Sequence, residues 1–260
     1  MLNSTHPFAF FLDGGDAGFA DADVLECLQA VVNKNFILEG EKAIIFRMRT
    51  YAYIDAANLF YGGKKSLGWS IDYKKLGDYL KSKYQVSQVF FFGGVEIHKF
   101  PFDYLKNETV PLRGLEKYLL NLIKEKGDKI SEIELKLLDR HLKRVRFYMK
   151  IEKFGYTLVL KPVKNFFDPE GLPIRKANCD VDMAFFLMRD HDTFDRAMIL
   201  SGDGDFLPVL KYLKGQRKEV MILARANRTA REMKRFAGDK FLDFEYLRER
   251  LKRTDLGEEI

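Results

Sequence analysis

Two aspartates and two glycines follow one short apolar segment of this 260-residue chain. Residues 197–200 predict a buried strand, and residues 207–213, with a proline in the first turn, predict a helix. The connecting residues 201–206 read Ser-Gly-Asp-Gly-Asp-Phe. Ligands of open α/β sheets bind beyond the carboxyl ends of the strands, so Asp203 and Asp205 are candidates for chemistry. The alternative is a solvated acidic turn in which one acid caps the helix.

Two further aspartates lie where they could join this turn. Asp55 ends a β-rich segment, and Asn58 follows three residues later. At about 100° per residue, Asp180 projects into the apolar arc of the helix predicted for residues 181–188, whereas Asp182 falls outside the arc and is expected to face solvent. The arc consists of Val181, Met183, Ala184, Phe185, Phe186, Leu187 and Met188. Helix capping is the alternative for both Asp55 and Asp180.

Carboxylates gathered in one place repel one another and raise one another's pKa. Asp55 and Asp203 converge if their strands are neighbours, and Asp180 can then reach them. Mg²⁺ or Mn²⁺, which prefers oxygen ligands, resolves the repulsion. The four histidines are widely spread, so a histidine metal cluster is not expected. An all-carboxylate site on a basic protein indicates phosphodiester hydrolysis by a metal-activated water.

The elements that position these residues alternate between strand and helix from residue 49 onward, which predicts an α/β fold with a mainly parallel central sheet covered on both faces. Strands are predicted at 49–55, 85–92, 156–161, 197–200, 218–224 and 239–244. Helices are predicted at 72–84, 112–126, 131–153, 181–188, 207–213 and 246–252, with one more that ends near 236 and is capped by Asn227 or Thr229. Gly93 and Gly94 are expected to break the second strand, and residues 164–178 to form an exposed loop.

Three regions follow from this pattern. Residues 1–48 are an N-terminal extension with a flexible turn at 13–18 and a helix at 23–36, residues 49–252 are the main domain, and residues 253–260 are a tail. Residues 96–153 are too long for a simple crossover and predict an inserted helical pair. No apolar run reaches the ~18 residues of a membrane span, and no basic residue precedes Lys34, so a cytoplasmic protein is expected.

The net charge of +6 and the pI near 9.1 indicate a polyanionic partner. The basic residues between positions 211 and 235 are dense near the predicted site, and Arg225, Arg228 and Arg231 are candidate phosphate contacts. The basic helix at 131–153 is either a groove wall or a solvated surface. Two lone cysteines, Cys27 and Cys179, suit buried thiols.

Three ordered motifs resemble those of NYN domains, which are PIN-like domains of the LabA type. The motifs are Tyr53-Ile54-Asp55-Ala56-Ala57-Asn58-Leu59, Lys176-Ala177-Asn178-Cys179-Asp180-Val181-Asp182 and Ser201-Gly202-Asp203-Gly204-Asp205-Phe206. The resemblance covers roughly residues 49–245 and excludes residues 1–40 and the pair at 112–153. The family often has another acid where this chain has Phe186, which leaves the number of bound ions open.

The resemblance implies a Rossmann-like, PIN-like fold of three layers and a metal-dependent ribonuclease. We expect single-stranded RNA as the substrate and endonucleolytic cleavage, with exonucleolytic cleavage as the open alternative. By residue, it implies metal-binding, catalytic carboxylates at Asp55, Asp180, Asp203 and Asp205 with Mg²⁺ or Mn²⁺, support from Asn58 and Ser201, and a phosphate contact at Lys176. The rival hypothesis is an RNA-binding module with little or no turnover. A phosphatase would want an Asp-x-Asp motif after the first strand, where this chain has Ala57. Homo-oligomerisation stays open.

Overall fold

The structure is a computed structural model that describes residues 36–39, 42–45, 48–62, 68–167, 170 and 173–254. The chain divides into two compact units, residues 1–48 and 49–260. In the first unit, β1 (Phe36–Glu39) and β2 (Lys42–Ile45) form an antiparallel hairpin. The turn predicted at 13–18, and the helix predicted at 23–36 apart from its last residue, lie outside the described residues.

The second unit contains the predicted alternation of strands and helices. Its strands are β3 (Thr50–Asp55), β4 (Val86–Val95), β5 (Thr157–Pro162), β6 (Lys164–Phe167), β7 (Pro173–Lys176), β8 (Arg196–Leu200), β9 (Glu219–Ala224) and β10 (Phe241–Asp243). Its helices are α1 (Ala56–Gly62), α2 (Tyr73–Tyr84), α3 (Leu112–Lys126), α4 (Glu132–Lys153), α5 (Asp180–Arg189), α6 (Leu207–Gly215), α7 (Arg231–Ala237) and α8 (Arg248–Leu251). No helix among the described residues is long and apolar enough to cross a membrane.

Six of these strands form one sheet in the order β10-β9-β8-β3-β4-β5, and every pairing in it is parallel. The chain runs outward from β3 to β5, returns to the other side of β3 as β8, and runs outward again to β10. The predicted parallel sheet is confirmed. The return leaves β3 and β8 side by side although they are distant in sequence, and this pairing positions the candidate site.

Helices cover both faces of the sheet and make three layers, as predicted. Successive strand residues point to opposite faces, so Ile54 joins the core under α2, α3 and α4, while Tyr53 joins the core under α5, α6 and α7. The helical pair forms as predicted: the Ser131 hydroxyl caps α4 by accepting a bond from the Glu134 amide at 3.2 Å, and Gly127 ends α3. Because Leu115 and Leu138 are fully buried, the pair is the layer that links β4 to β5.

The expected break at Gly93 and Gly94 is wrong, because β4 continues through both residues to Val95. Glycine is required at these positions because neighbouring side chains leave no room for a Cβ. A Cβ on Gly94 would lie 2.5 Å from the Ala177 Cβ, and one on Gly93 would lie 3.0 Å from the Tyr148 hydroxyl. The Tyr148 hydroxyl also donates to the Gly94 carbonyl at 2.8 Å, which ties α4 to the strand.

Two other local predictions are wrong. The segment predicted as an exposed loop at 164–178 contains β6 and β7, which pair as an antiparallel hairpin. Neither Asn227 nor Thr229 caps α7: the residue before its first turn is Ala230, and the Thr229 hydroxyl donates to the Arg225 carbonyl at 2.6 Å. Thr229 therefore closes its own turn and stays buried.

Candidate active site

The carboxyl ends of β3 and β8 meet at the point where the strand order reverses. Ile54 pairs with Leu200, so the next residues, Asp55 and Ser201, emerge at the same edge of the sheet. In doubly wound α/β sheets this reversal opens a crevice in which ligands bind. The condition under which Asp55 and the 201–206 motif converge, that their strands are neighbours, is therefore met.

Asp55 is buried, with 6% of its surface exposed. Its Oδ1 accepts a bond from the backbone amide of Asn58 at 3.1 Å, and its Oδ2 accepts one from the Ser201 hydroxyl at 3.0 Å. Burial raises the pKa of Asp55 above its ordinary value, and the charge of Asp180 raises it further, against these hydrogen bonds. Asn58 thus bonds to Asp55 through its main chain, at the first turn of α1.

Ser201 connects Asp55 to the acidic turn. Its fully buried hydroxyl donates to Asp55 and accepts a bond from the Asp203 amide at 3.2 Å. Asp203 Oδ1 in turn accepts a bond from the Asp205 amide at 3.0 Å, which caps a short 3₁₀ turn that leads into α6. Asp203 is half-buried at this edge, and Asp205 is exposed.

The first glycine of the turn, Gly202, is explained by the neighbouring segment after β9, whereas the atom closest to the second is the mobile end of a side chain. A Cβ on Gly202 would lie 2.7 Å from the Thr229 Oγ1 and 2.9 Å from the Thr229 Cα. A Cβ on Gly204 would lie 2.6 Å from the Glu232 Oε1. At Gly202 the close approach is thus made by the backbone of the protein itself.

Glu232 is an acid at the candidate site that the sequence reasoning missed. It is exposed and lies in the first turn of α7, with its carboxylate beside Gly204 of the acidic turn. The sequence signal that could have found it is its position, in the first turn of the helix that follows β9, the strand beside β8. The density of basic residues between positions 211 and 235 does not reveal Glu232, because it does not depend on where in a helix each charged residue lies.

The structure contradicts the helical-wheel prediction for α5. Val181 and Phe185, placed in the apolar arc, are 66% and 54% exposed, and the buried residues are Met183, Phe186 and Leu187. The buried face of α5 is therefore narrower than the predicted apolar arc. The other side of the helix faces outward although it also carries apolar side chains. Two of the seven arc residues thus lie on the exposed side.

Asp180 and Asp182 differ in what they contact. Asp180, half-buried in the first turn of α5, is near enough to Asp55 for its charge to raise the pKa of that carboxyl. Asp182 was expected to face solvent, but it is half-buried and pairs with Lys161 of β5 at 2.9 Å. The predicted solvation of Asp182 is wrong, because the end of β5 offers it a cation.

Cys179 is buried beside these acids. Burial raises the pKa of its thiol to about 12, and the charges of Asp182, Asp55 and Asp180 act in the same direction. The thiol is therefore neutral at physiological pH, and the buried-thiol prediction is confirmed for Cys179. Cys27 lies outside the described residues.

The oxygen donors fit a hard cation in chemistry, since a desolvated carboxylate at Asp55 and a second one nearby at Asp180 favour positive charge. In the part of the chain that the structure describes, no three histidine, cysteine or acidic side chains are arranged as a metal site. The four-aspartate ligand set of Asp55, Asp180, Asp203 and Asp205 therefore stays a prediction.

The predicted phosphate contacts lie partly at this edge. Arg225 follows β9 directly, and Arg228, whose carbonyl would lie 3.2 Å from a Cβ on Gly202, is exposed beside the acidic turn. Arg231 is exposed at the start of α7. Lys176 ends β7, and its side chain is outside the described part.

The fold and this edge define an α/β protein with a buried carboxylate and an acidic turn at the strand-order reversal. A sequence model of the NYN domain matches residues 117–247, which is 131 of the 260 residues, and the chain belongs to the NYN domain family. The matched range includes most of α3 and α4, so the helical pair is not outside the shared pattern as expected. The range begins after Asp55.

Relatives support this placement. The chain is 22% identical to the low amplitude and bright protein LabA of Synechococcus elongatus over 211 residues, which are 80% of this chain and 89% of that protein. A protein of unknown function from Vibrio parahaemolyticus, VPA0982, has the same fold with a TM-score of 0.50 and 15% identity over 79% of this chain and 96% of its own. The T5 D15 protein, co-crystallised with metal ions, is less similar in structure, with a TM-score of 0.38. Its identity is 16%, and the match covers 72% of this chain and 59% of that protein.

Proposed function

We propose that the chain is a metal-dependent ribonuclease that cuts single-stranded RNA internally. The observation that carries the proposal is the hydrogen-bonded path from Asp203 through Ser201 to the buried Asp55, at the crevice between β3 and β8. Membership of the NYN domain family supports it. A solvated acidic turn needs no desolvated carboxylate bonded to its serine, so the turn is more than a helix cap.

Each residue has a proposed role at the crevice. Asp55, Asp180 and Asp203 would hold Mg²⁺ or Mn²⁺, with Asp205 as a further ligand, and such a cation lowers the pKa of a bound water and offsets charge on the phosphate. Ser201 and the Asn58 amide fix the orientation of the Asp55 carboxylate. Arg225, Arg228, Arg231 and Lys176 would contact phosphates of the strand.

The test compares wild type with Asp203→Asn on a labelled single-stranded RNA, with Mg²⁺, with Mn²⁺ and with EDTA. Asparagine keeps the Oδ1 that accepts the Asp205 amide, so the turn should fold while the negative charge is lost. We expect internal cleavage that needs the cation and falls at least about a hundredfold in the variant.

The exposed Asp103→Asn is the matched control, because it removes one carboxylate from an ion pair with Lys106 away from the site and should leave cleavage unchanged. Equal cleavage by wild type and Asp203→Asn would mean a contaminating nuclease and contradict the proposal. RNA binding with no cation-dependent turnover would assign a binding module instead.

A further inference from the structure

A cavity of 680 Å³ lies against α4, formed with residues 70–74, Leu59 and Arg253. The residues of α4 and its C-cap that line it form one stripe, spaced three or four apart: Arg140, Lys143, Arg144, Phe147, Lys150, Ile151 and Phe154. The core residues Leu138, Leu142 and Val145 lie on the other side of the same helix. Ile151 of the stripe is buried in the core, and Phe147 and Phe154 pack against it, whereas the charged residues of the stripe lie on the side of α4 away from Leu138 and Leu142.

The cavity is strongly cationic, and we refer to it as the basic groove. Its six cations are Lys74, Arg140, Lys143, Arg144, Lys150 and Arg253. The single acid in the lining, Asp72, is engaged with the amides of Lys74 and Lys75 at 2.9 and 3.1 Å as the cap of α2. Lys74 and Lys143 have exposed partners, Asp78 and Asp139, but exposed pairs bind weakly and exchange readily.

Aromatic side chains stand among these cations. Phe147 and Tyr73 meet edge to face with ring centroids 5.5 Å apart, and both are partly exposed, as is Phe154. A cationic groove that also offers aromatic rings is the usual surface for single-stranded nucleic acid, since phosphates pair with the cations and bases stack on the rings. A site for a free inorganic anion needs no such rings.

The shape of the groove favours a strand over one small anion. From Arg140 to Phe154 the stripe extends about 21 Å along α4, at about 1.5 Å per residue. Its cations are spread along this length, so they cannot all contact one phosphate. The start of α2 does not act as an anion site, because the Asp72 carboxylate already occupies its amides.

The groove also adjoins the helix that starts at the candidate site. Leu59 lines the groove and comes four residues after Asp55, about 6 Å along α1. We propose that the basic groove binds a segment of the RNA strand that lies outside the cleavage site. The proposal rests on the proposed function for the identity of the strand, and it adds a second contact region besides Arg225, Arg228 and Arg231.

The test measures binding, in EDTA, of a short fluorescent single-stranded RNA between about 50 and 200 mM salt. Arg140→Ala with Lys150→Ala should lower the affinity at least about tenfold and reduce the slope of log affinity against log salt by about 1.4, since each lost contact removes about 0.7. Phe147→Leu should lower the affinity about tenfold without changing the slope.

The matched control is Lys117→Ala with Lys153→Ala, which removes the same charge from exposed positions on α3 and α4 outside the groove. It should leave both affinity and slope near wild type. Equal slopes for the groove variant and the control would overturn the proposal. Complete displacement of the RNA by equimolar ATP would contradict the proposal that the groove binds an RNA strand, and would indicate a nucleotide-binding site instead.

These results are separable from the cleavage test. Binding that depends on the groove in a protein that never cleaves RNA would contradict the proposed function and uphold the groove. Cation-dependent cleavage, together with an RNA affinity that the groove variants leave unchanged, would support the proposed function and contradict the proposed groove. Circular dichroism of each variant establishes that its fold is retained.

Discussion

The Ser201 hydroxyl lies 3.0 Å from the Asp55 Oδ2, and this bond joins residues 146 positions apart. It is made possible by the parallel pairing of β3 with β8, which brings the ends of both strands to one edge. Ser201 also accepts the Asp203 amide, so the orientation of the buried carboxylate depends on the turn that follows the other strand. The acidic turn and Asp55 are one unit.

We expect Ser201→Ala to destabilise the protein and to slow cleavage. The change leaves a buried carboxylate oxygen without its donor, which costs about 1–3 kcal/mol in the free energy of unfolding. Urea denaturation measures this, and the rate of RNA cleavage measures the functional loss. Ser82→Ala is the control, because the Ser82 hydroxyl only donates to the Tyr79 carbonyl on an exposed turn of α2. Equal stability of the two variants would contradict the bonded path.

Gly202→Ala should destabilise the protein by about 1–3 kcal/mol, because the new Cβ would overlap Thr229 and force the segment after β9 to move. Adding Thr229→Ala should not restore stability in full, since the Thr229 Cα alone lies 2.9 Å from that Cβ. Thermal or urea unfolding of both variants measures the effect.

Gly215→Ala is the matched control for this prediction. No atom lies within 4 Å of a Cβ there, and the residue ends α6, so alanine should be neutral or slightly stabilising. A destabilisation of Gly202→Ala no larger than that of the control would refute the packing explanation for the motif's first glycine.

The parallel sheet followed from the sequence because strand periodicity and helix alternation restrict the topology strongly. The pairing of β3 with β8, on which the contact between Asp55 and Ser201 depends, was an assumption of the predicted site. The roles of the glycines did not follow. Gly93 and Gly94 predict a strand break, but the sequence does not say why a position lacks a side chain. Whether that absence serves a turn or a close neighbour depends on Ala177 and Tyr148, which are remote in sequence.

The environments of α5 and of the acids escaped the sequence for a related reason. Val181 and Phe185 are apolar letters on an exposed side, which no wheel distinguishes from a buried side when the whole helix is apolar. Asp182 is paired because Lys161 ends a strand packed nearby, and Glu232 reaches Gly204 because α7 follows the neighbouring strand. Each depends on tertiary contacts.

Stability should depend on pH through Glu219 at the start of β9. Burial alone would raise the pKa of this carboxyl, but its bonds with Lys240 and Arg196 hold it below its ordinary value of 4.5. A lowered pKa means that the folded state favours the ionised form, so this stabilisation is present above pH 4.5 and is lost as the pH falls through the folded pKa.

Glu219→Gln should therefore lower the free energy of unfolding by up to about 1 kcal/mol near neutral pH, and the difference from wild type should vanish in acid. Urea unfolding across a pH series measures it. Because Glu219 lies at the opposite end of its strand from the candidate site, cleavage by the folded variant should be unchanged. A deficit that persisted in acid would contradict the ion-pair explanation.

Asp180→Asn and Asp182→Asn should separate the two acids of α5 by function. Asp180 acts on the buried Asp55, so its loss should reduce RNA cleavage at least about a hundredfold while the fold is kept. Asp182 is paired with Lys161, so its loss should cost at most about 1 kcal/mol of stability and leave most of the activity. Cleavage rates and urea unfolding of both variants, side by side, decide the matter. Equal loss of cleavage in the two variants would contradict the assignment of Asp180 as the acid of α5 that acts at the site. A loss confined to Asp180→Asn would support a shared role for Asp180, Asp55 and Asp203.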